Sequence, residues 1–162
     1  MRTVRFVFTA VMFFCVLAPV SSAMFTVSVV ETGVAEDAPF TEASTAWESG
    51  LIDALFESGH IVSNFPLLRS EGPYELDTAL FGMALEGGSN YLCLAILEYD
   101  EGLANENKTL IPKKSLIQIY SLHSSELLVE GISTIVDTES SIKEQESRAR
   151  DCIRALLAKM EG

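Results

Sequence analysis

Apolar and polar positions alternate or cluster in patterns that divide the chain after residue 23 into eight predicted elements. Short runs rich in β-branched residues predict strands, whereas apolar residues that recur every three or four positions predict helices. Glycine, proline and polar clusters separate these runs and predict turns. The predicted strands cover residues 24–31, 60–65, 90–98, 116–122 and 127–136, and the predicted helices cover the stretch from Thr41 to Gly59, then 74–86 and 139–160.

The predicted order is β-α-β-α-β-β-β-α, which indicates an α/β (α+β) fold with a single mixed β-sheet of about five strands and three packed helices. The run 90–98 is almost continuously apolar and predicts a strand that is buried on both faces. Residues 116–136 predict an antiparallel hairpin. Because the sequence has no repeat and no linker, we expect one domain over residues 24–162.

The first predicted helix places its largest apolar side chains on one face. We expect Trp47 and Phe56 to belong to the core and not to an exposed interaction stripe. Gly59 is the predicted stop of this helix, and Gly87 and Gly88 end the second one. The apolar side of the second predicted helix consists of Leu76, Leu80, Phe81, Met83 and Ala84.

The first 23 residues have the pattern of a cleavable secretory signal peptide. Arg2 and Arg5 precede an apolar run over 6–17, and small residues at 21–23 predict cleavage after Ala23. The run is shorter than the roughly 20 residues that a membrane-spanning helix needs, so a retained anchor is the weaker interpretation. Lipid attachment at Cys15 is a second alternative, but phenylalanines precede this cysteine where small residues are expected. We therefore expect an exported protein, either periplasmic or secreted.

Charge restricts the partners of the predicted mature chain. Residues 24–162 contain nine basic residues against 23 acidic ones, which leaves a formal charge of −14. A surface of this sign repels nucleic-acid phosphates and anionic lipid headgroups, so we expect neither as a direct partner.

Two cysteines remain after the predicted cleavage, Cys93 in a predicted strand and Cys152 on a predicted helix. A disulfide between them is one interpretation, because an exported pair meets an oxidising compartment. Two buried free thiols are the favoured interpretation, because free cysteine is common in apolar strands and helices.

The residue patterns of known catalytic and cofactor sites do not occur, so we expect no cofactor and no metal. His60 and His123 have no further ligands at zinc-binding spacing. Gly87 and Gly88 precede a strand, whereas a phosphate loop precedes a helix. The acidic stretch 100–107 lacks the alternation of a calcium loop. Asn107-Lys-Thr109 fits a glycosylation sequon.

Several sequence segments resemble those of a family of envelope proteins. The segments Leu51-Ile-Asp-Ala-Leu55, Ser58-Gly59-His60-Ile61-Val62 and Gly88-Ser-Asn-Tyr91-Leu92 occur in the order found in the amino-terminal domain of TolB. The curli-secretion lipoproteins and the activator lipoproteins of penicillin-binding proteins share this layout. The resemblance implies an envelope module that acts through protein contacts. Two departures are the lack of a cysteine at the predicted mature start and an undistinctive loop over 32–40, so no binding residue is transferred.

Three functional hypotheses follow. The first is an exported, non-enzymatic cell-envelope protein that binds another envelope protein or assembles with itself. The second is an exported hydrolase that uses a carboxylate pair, for which the candidates are Glu31, Asp53 and Glu98. The third is a carrier of a small ligand or lipid, which would need a cavity of a few hundred cubic ångströms.

Overall fold

The computed structural model describes residues 22–104, 110–134 and 140–161. The predicted signal peptide up to residue 21 and the sequon at 107–109 therefore lie outside the described residues. The elements are β1 (Met24–Thr32), α1 (Glu42–Glu57), β2 (Ile61–Asn64), β3 (Leu68–Ser70), α2 (Thr78–Glu86), β4 (Tyr91–Ala104), β5 (Leu110–Ser121), β6 (Glu126–Thr134) and α3 (Ile142–Glu161).

All described strands belong to one mixed sheet, as predicted, although it has six strands where about five were expected. Its order is β2-β1-β4-β5-β6, and β3 pairs with β1 beyond the end of β2. The strands β2, β3 and β4 run parallel to β1. Strand β5 runs antiparallel to β4, and β6 runs antiparallel to β5. Strand β6 is thus one edge of the sheet.

Helices α1 and α3 cover one face of the sheet. The odd-numbered side chains of β1 and β4, among them Phe25, Val27 and Ala95, pack with Trp47 and Ile153 from the two helices in the larger apolar core. Each strand contributes alternate residues to this face because successive side chains point to opposite sides.

Helix α2 covers part of the other face. Leu80 and Ala84 of α2 pack with Val30, Leu92 and Leu94 in a smaller core. Because both faces of β1 and β4 are covered, these strands are almost fully buried along 25–32 and 92–95, as the apolar run 90–98 predicts.

The predicted limits of the first helix are confirmed. Thr41 caps its start, with its side chain accepting a hydrogen bond from the backbone N–H of Ser44 at 3.1 Å. Gly59 follows its end with a φ of 86°, a left-handed conformation that glycine adopts without a steric cost.

Strand β4 runs to Ala104 and not only to residue 98, and Met83, expected on the apolar side of the second helix, is 50% exposed. Three further local predictions are wrong. The stretch 67–73 was expected to be a loop, but Leu68–Ser70 forms β3, because pairing with β1 overrides the break that Pro66 imposes. Helix α2 begins at Thr78 and not at Tyr74, since the Asp77 side chain caps it by accepting from the N–H of Ala79 at 2.8 Å.

The third wrong prediction concerns Phe56, which was expected in the core. Its side chain is 71% exposed, because it lies on the flank of α1 that neither the sheet nor α3 covers. Trp47 is fully buried, as expected, and its indole N–H donates to Gln145 Oε1 of α3 at 2.8 Å.

Gly50 sets the close approach of α1 and α3. A Cβ at this position would lie 2.4 Å from the backbone oxygen of Glu146 and 2.9 Å from Cβ of Ala149. A Cβ at Gly82, in the middle of α2, would meet nothing within 4 Å.

We expect Gly50→Ala to lower the free energy of unfolding by about 1–2 kcal/mol, because the helices must separate to accept the methyl group. Gly82→Ala is the matched control, and we expect it to raise stability by about 0.5–1 kcal/mol through helix propensity. Urea unfolding of both variants measures the difference. Equal effects of the two substitutions would contradict the close packing at Gly50.

Candidate functional site

Glu31, one of the three candidate carboxylates, is engaged in a buried ion pair. Its side chain at the end of β1 is 0% exposed and lies beside the guanidinium of Arg69 in β3. Oε2 accepts from Nη2 of Arg69 at 2.5 Å and from Nε at 3.2 Å, and Oε1 accepts from the backbone N–H of Thr41 at 2.7 Å. Both carboxylate oxygens therefore already have donors, and the pair connects β1, β3 and the start of α1.

Arg69 also holds the loop between β1 and α1. Its Nη1 donates to the carbonyl oxygens of Ala35, Glu36 and Ala38 at 2.6–3.1 Å, and its Nη2 donates to that of Pro39 at 3.2 Å. The ring of Phe40 lies over the guanidinium, 4.8 Å from centroid to carbon. One side chain thus binds most of the loop that the sequence left undefined.

Arg69 was missed in the sequence because it falls in a predicted loop. A signal was nevertheless present, since Arg69 is the only lysine or arginine between residues 6 and 107. A single cation in so long an acidic segment is a strong candidate for a specific ion pair.

The structure brings no two of the candidate carboxylates together. Glu31 lies opposite Leu97 in the register of β1 and β4, so the next residue, Glu98, points to the other face of the sheet. Asp53 lies on α1, about 18 Å along the helix from Thr41, which binds Glu31. Each also has its own cation, because Asp53 pairs with Arg150 and Glu98 with Lys113.

A crevice of about 450 Å³ lies at the carboxyl end of β1, beside the middle of β4. Tyr74, Ile96 and Leu116 form its apolar surface, and the ion pair of Glu98 and Lys113 lies at its rim. This mixed, open lining differs from the apolar enclosure that a lipid chain needs.

Among the described residues, no helix covers the second face of the sheet over most of β5 and β6, since α2 packs over β1 and β4. Ile132 of β6 lies opposite Leu116 of β5, and Leu127 lies opposite Tyr120. The side chains of Ile132 and Leu127 are 62% and 43% exposed, and that of Leu128 is 41% exposed. We call Leu116, Tyr120, Leu127 and Ile132 the open face.

A groove of about 410 Å³ runs between β6 and α3. Gly131 allows the helix to approach the strand, since a Cβ there would lie 3.2 Å from Cδ2 of Leu156. We call this the edge groove, and its lining residues are Glu130, Gly131, Ile132, Cys152, Ala155, Leu156 and Lys159.

The two cysteines contact the same core from different elements. Cys93 is buried in β4, and burial raises the pKa of its thiol to about 12. Cys152 on α3 is half-buried, and burial, followed by the charge of Asp151, raises its pKa. The structure carries both as free cysteines, and a disulfide between them stays the alternative hypothesis.

Neither histidine lies in a metal site within the described part of the chain. His60 packs against the ring of Phe25 at 4.9 Å, and His123 lies in the exposed turn between β5 and β6. No group of three or more His, Cys, Asp or Glu among the described residues could hold a metal ion. None of the described helices has both the length and the apolar character that crossing a membrane requires.

We expect Glu31→Gln to lower the free energy of unfolding by about 3–5 kcal/mol, because it leaves the charge of Arg69 buried without its counter-ion. Glu98→Gln, which breaks an exposed pair, is the control and should cost less than about 1 kcal/mol. Chemical unfolding at neutral pH measures both. A cost for Glu31→Gln as small as that of the control would show that the buried pair does not stabilise the fold.

No protein-family model and no curated protein matches this chain. Among solved structures, a PelC dodecamer from Paraburkholderia phytofirmans has a TM-score of 0.48 and 13% identity, over 86% of this chain and 84% of that one. TolB from Acinetobacter baumannii has a TM-score of 0.47 and 11% identity, over 86% of this chain but only 30% of TolB. The LpoB C-terminal domain from Escherichia coli has a TM-score of 0.43 and 13% identity, over 72% and 84%. TolB and a penicillin-binding-protein activator are thus among the structural neighbours, as the sequence motifs predicted.

Proposed function

We propose that this chain is an exported, non-enzymatic module of the cell envelope that works through contacts with another envelope protein or with further copies of itself. The open face supports this proposal most directly. Leu127 and Ile132 project from a hydrogen-bonded strand pair whose register shifts beside Leu127, so their exposure belongs to the sheet and not to a loose segment. The pair of Gln118 and Glu130 lies between the two apolar pairs of this face, and exposed apolar pairs with a polar group between them are the kind of surface that another protein covers.

The position of the open face also suits a binding surface. It lies on the outermost strands, and Tyr120 forms its border with α2 through an edge-to-face contact with Phe81 at 5.4 Å. A partner could therefore cover β5 and β6 without displacing α2. The large negative charge of the predicted mature chain favours a partner that brings positive charge to the rim of this surface.

Export is the second part of the proposal. Strand β1 begins at Met24, immediately after the predicted cleavage site, and the backbone nitrogen of Met24 donates to Oδ1 of Asn90 at 2.9 Å. After cleavage this nitrogen would be an ammonium group, and the same carbonyl oxygen would accept a stronger, charge-assisted bond. The new terminus would keep this bond and lose the one that the backbone N–H of Ile61 donates to the carbonyl oxygen of Ala23 at 3.0 Å.

We expect the protein isolated from an exporting host to begin at Met24, because small residues at 21 and 23 fit the peptidase. Ala23→Arg should leave the precursor uncleaved, whereas Ser22→Arg, at the unrestricted middle position, should be processed normally. The intact mass of each product measures this. A precursor mass for the unmodified chain would contradict export by cleavage, and a lipid-sized increment would show attachment at Cys15.

We expect a photo-cross-linking amino acid at position 127 to form adducts of discrete mass in intact cells, because Leu127 lies on the open face. The control places the same group at Leu85, which is 56% exposed on α2. Mass spectrometry of the adducts identifies another envelope protein or a second copy of this chain. No adducts at position 127, or the same adducts at both positions, would contradict the proposed function.

A further inference from the structure

Strand β6 presents a backbone edge that another strand can pair with. It is nine residues long, and among the described strands it pairs with β5 alone. Protein edges are commonly protected by lysine, proline or a covering segment, but the sequence of β6, ELLVEGIST, has neither lysine nor proline. Within the described part of the chain, the outward N–H and C=O groups of β6 therefore have no strand beside them.

The edge groove can accommodate the side chains of such a strand. Because side chains alternate, every second residue of an added strand would point toward α3, and the others would continue the open face. The α3 wall consists of small and apolar surface from Cys152, Ala155 and Leu156. This combination of an unpaired edge with a lined groove is the geometry in which an extended peptide adds to a sheet.

Charge selects the occupant of the groove. The charged residues of β6 are Glu126 and Glu130, and Lys159 is the one cation among the residues that line the groove. A second copy paired through β6 would bring these glutamates together and would join two predicted mature chains, each with a formal charge of −14. An extended segment with lysine or arginine opposite Glu130 avoids this repulsion and gains an ion pair.

We propose that the edge groove binds an extended segment of a partner protein, which pairs with β6 as a seventh strand, places apolar side chains against α3 and carries basic side chains on the opposite side. This inference rests on the proposed function and specifies the partner's chemistry and its mode of binding. The backbone bonds supply affinity, and the groove and Glu130 select the sequence.

Synthetic peptides of the same length as β6 test this on the full exported protein. The first alternates valine and lysine, the second alternates valine and glutamate, and the third is the lysine peptide with a central proline. Fluorescence anisotropy of the labelled peptides should show at least about tenfold weaker binding of the second and third. The proline peptide keeps its charge but cannot complete the strand, so equal binding of the first and third would overturn the proposal.

Two matched pairs of variants locate the site. Ala155→Trp fills the groove and should weaken the lysine peptide about tenfold, whereas Ala158→Trp, exposed on the same helix but outside the lining, should leave its binding unchanged. Glu130→Lys should shift the preference toward the glutamate peptide, and Glu86→Lys, with the same charge change on α2, should not. Circular dichroism confirms that each variant is folded. The proposal would be overturned if neither Ala155→Trp nor Glu130→Lys changed the binding of the peptides.

The oligomeric state and the cellular adducts show whether the proposed function, the added strand or neither is correct. A concentration-dependent dimer that Ala155→Trp abolishes, measured by sedimentation, would overturn the proposal in favour of a second copy as the occupant. Photo-adducts from position 127 that persist in Ala155→Trp, with no peptide binding, would reject the added strand but support the proposed function. Peptide binding with no adducts in cells would support the groove and contradict the proposed function.

Discussion

The buried ion pair of Glu31 and Arg69 is the interaction on which the arrangement around the first strand depends. Removing two charges from water is costly, and the cost is met here only because both groups have several hydrogen-bond partners. Glu31 can be buried only if β3 brings Arg69 to it, and Arg69 can be buried only if the loop 33–40 supplies its carbonyl groups. The pair therefore determines at once the position of β3, the path of the loop and the start of α1.

The two faces of the sheet differ in how completely they are covered. Two long helices, α1 and α3, cover one face, and Gly50 lets them approach closely. The nine-residue α2 is the cover of the other face, and it packs over β1 and β4. As far as the structure describes the chain, β5 and β6 consequently have one uncovered face and β6 has one unpaired edge, and these give rise to the open face and the edge groove.

Charge has a different role on the two helices and on β6. Arg150 of α3 binds the carboxylates of Asp53 and Glu57 of α1 and of Glu146 on its own helix, so one cation serves three acids. No such cation lies on β6, where Glu126 and Glu130 face outward beside exposed apolar residues. This acidic, apolar edge is the charge pattern on which the proposed pairing with a basic segment rests.

The sequence alone determined the elements that depend on local chemistry, because caps, glycine stops and apolar periodicity act within a few residues. Thr41, Gly59, Gly88 and the run 90–98 marked their elements correctly, and the mixed sheet with three helices followed from their order. Strand β3, the partner of Glu31 and the exposure of Phe56 depend on residues far apart in the chain, so only the tertiary structure decided them. The same holds for the edge groove. The sequence predicts β6 and α3 separately, and the groove between them exists only because the two elements pack against each other at Gly131.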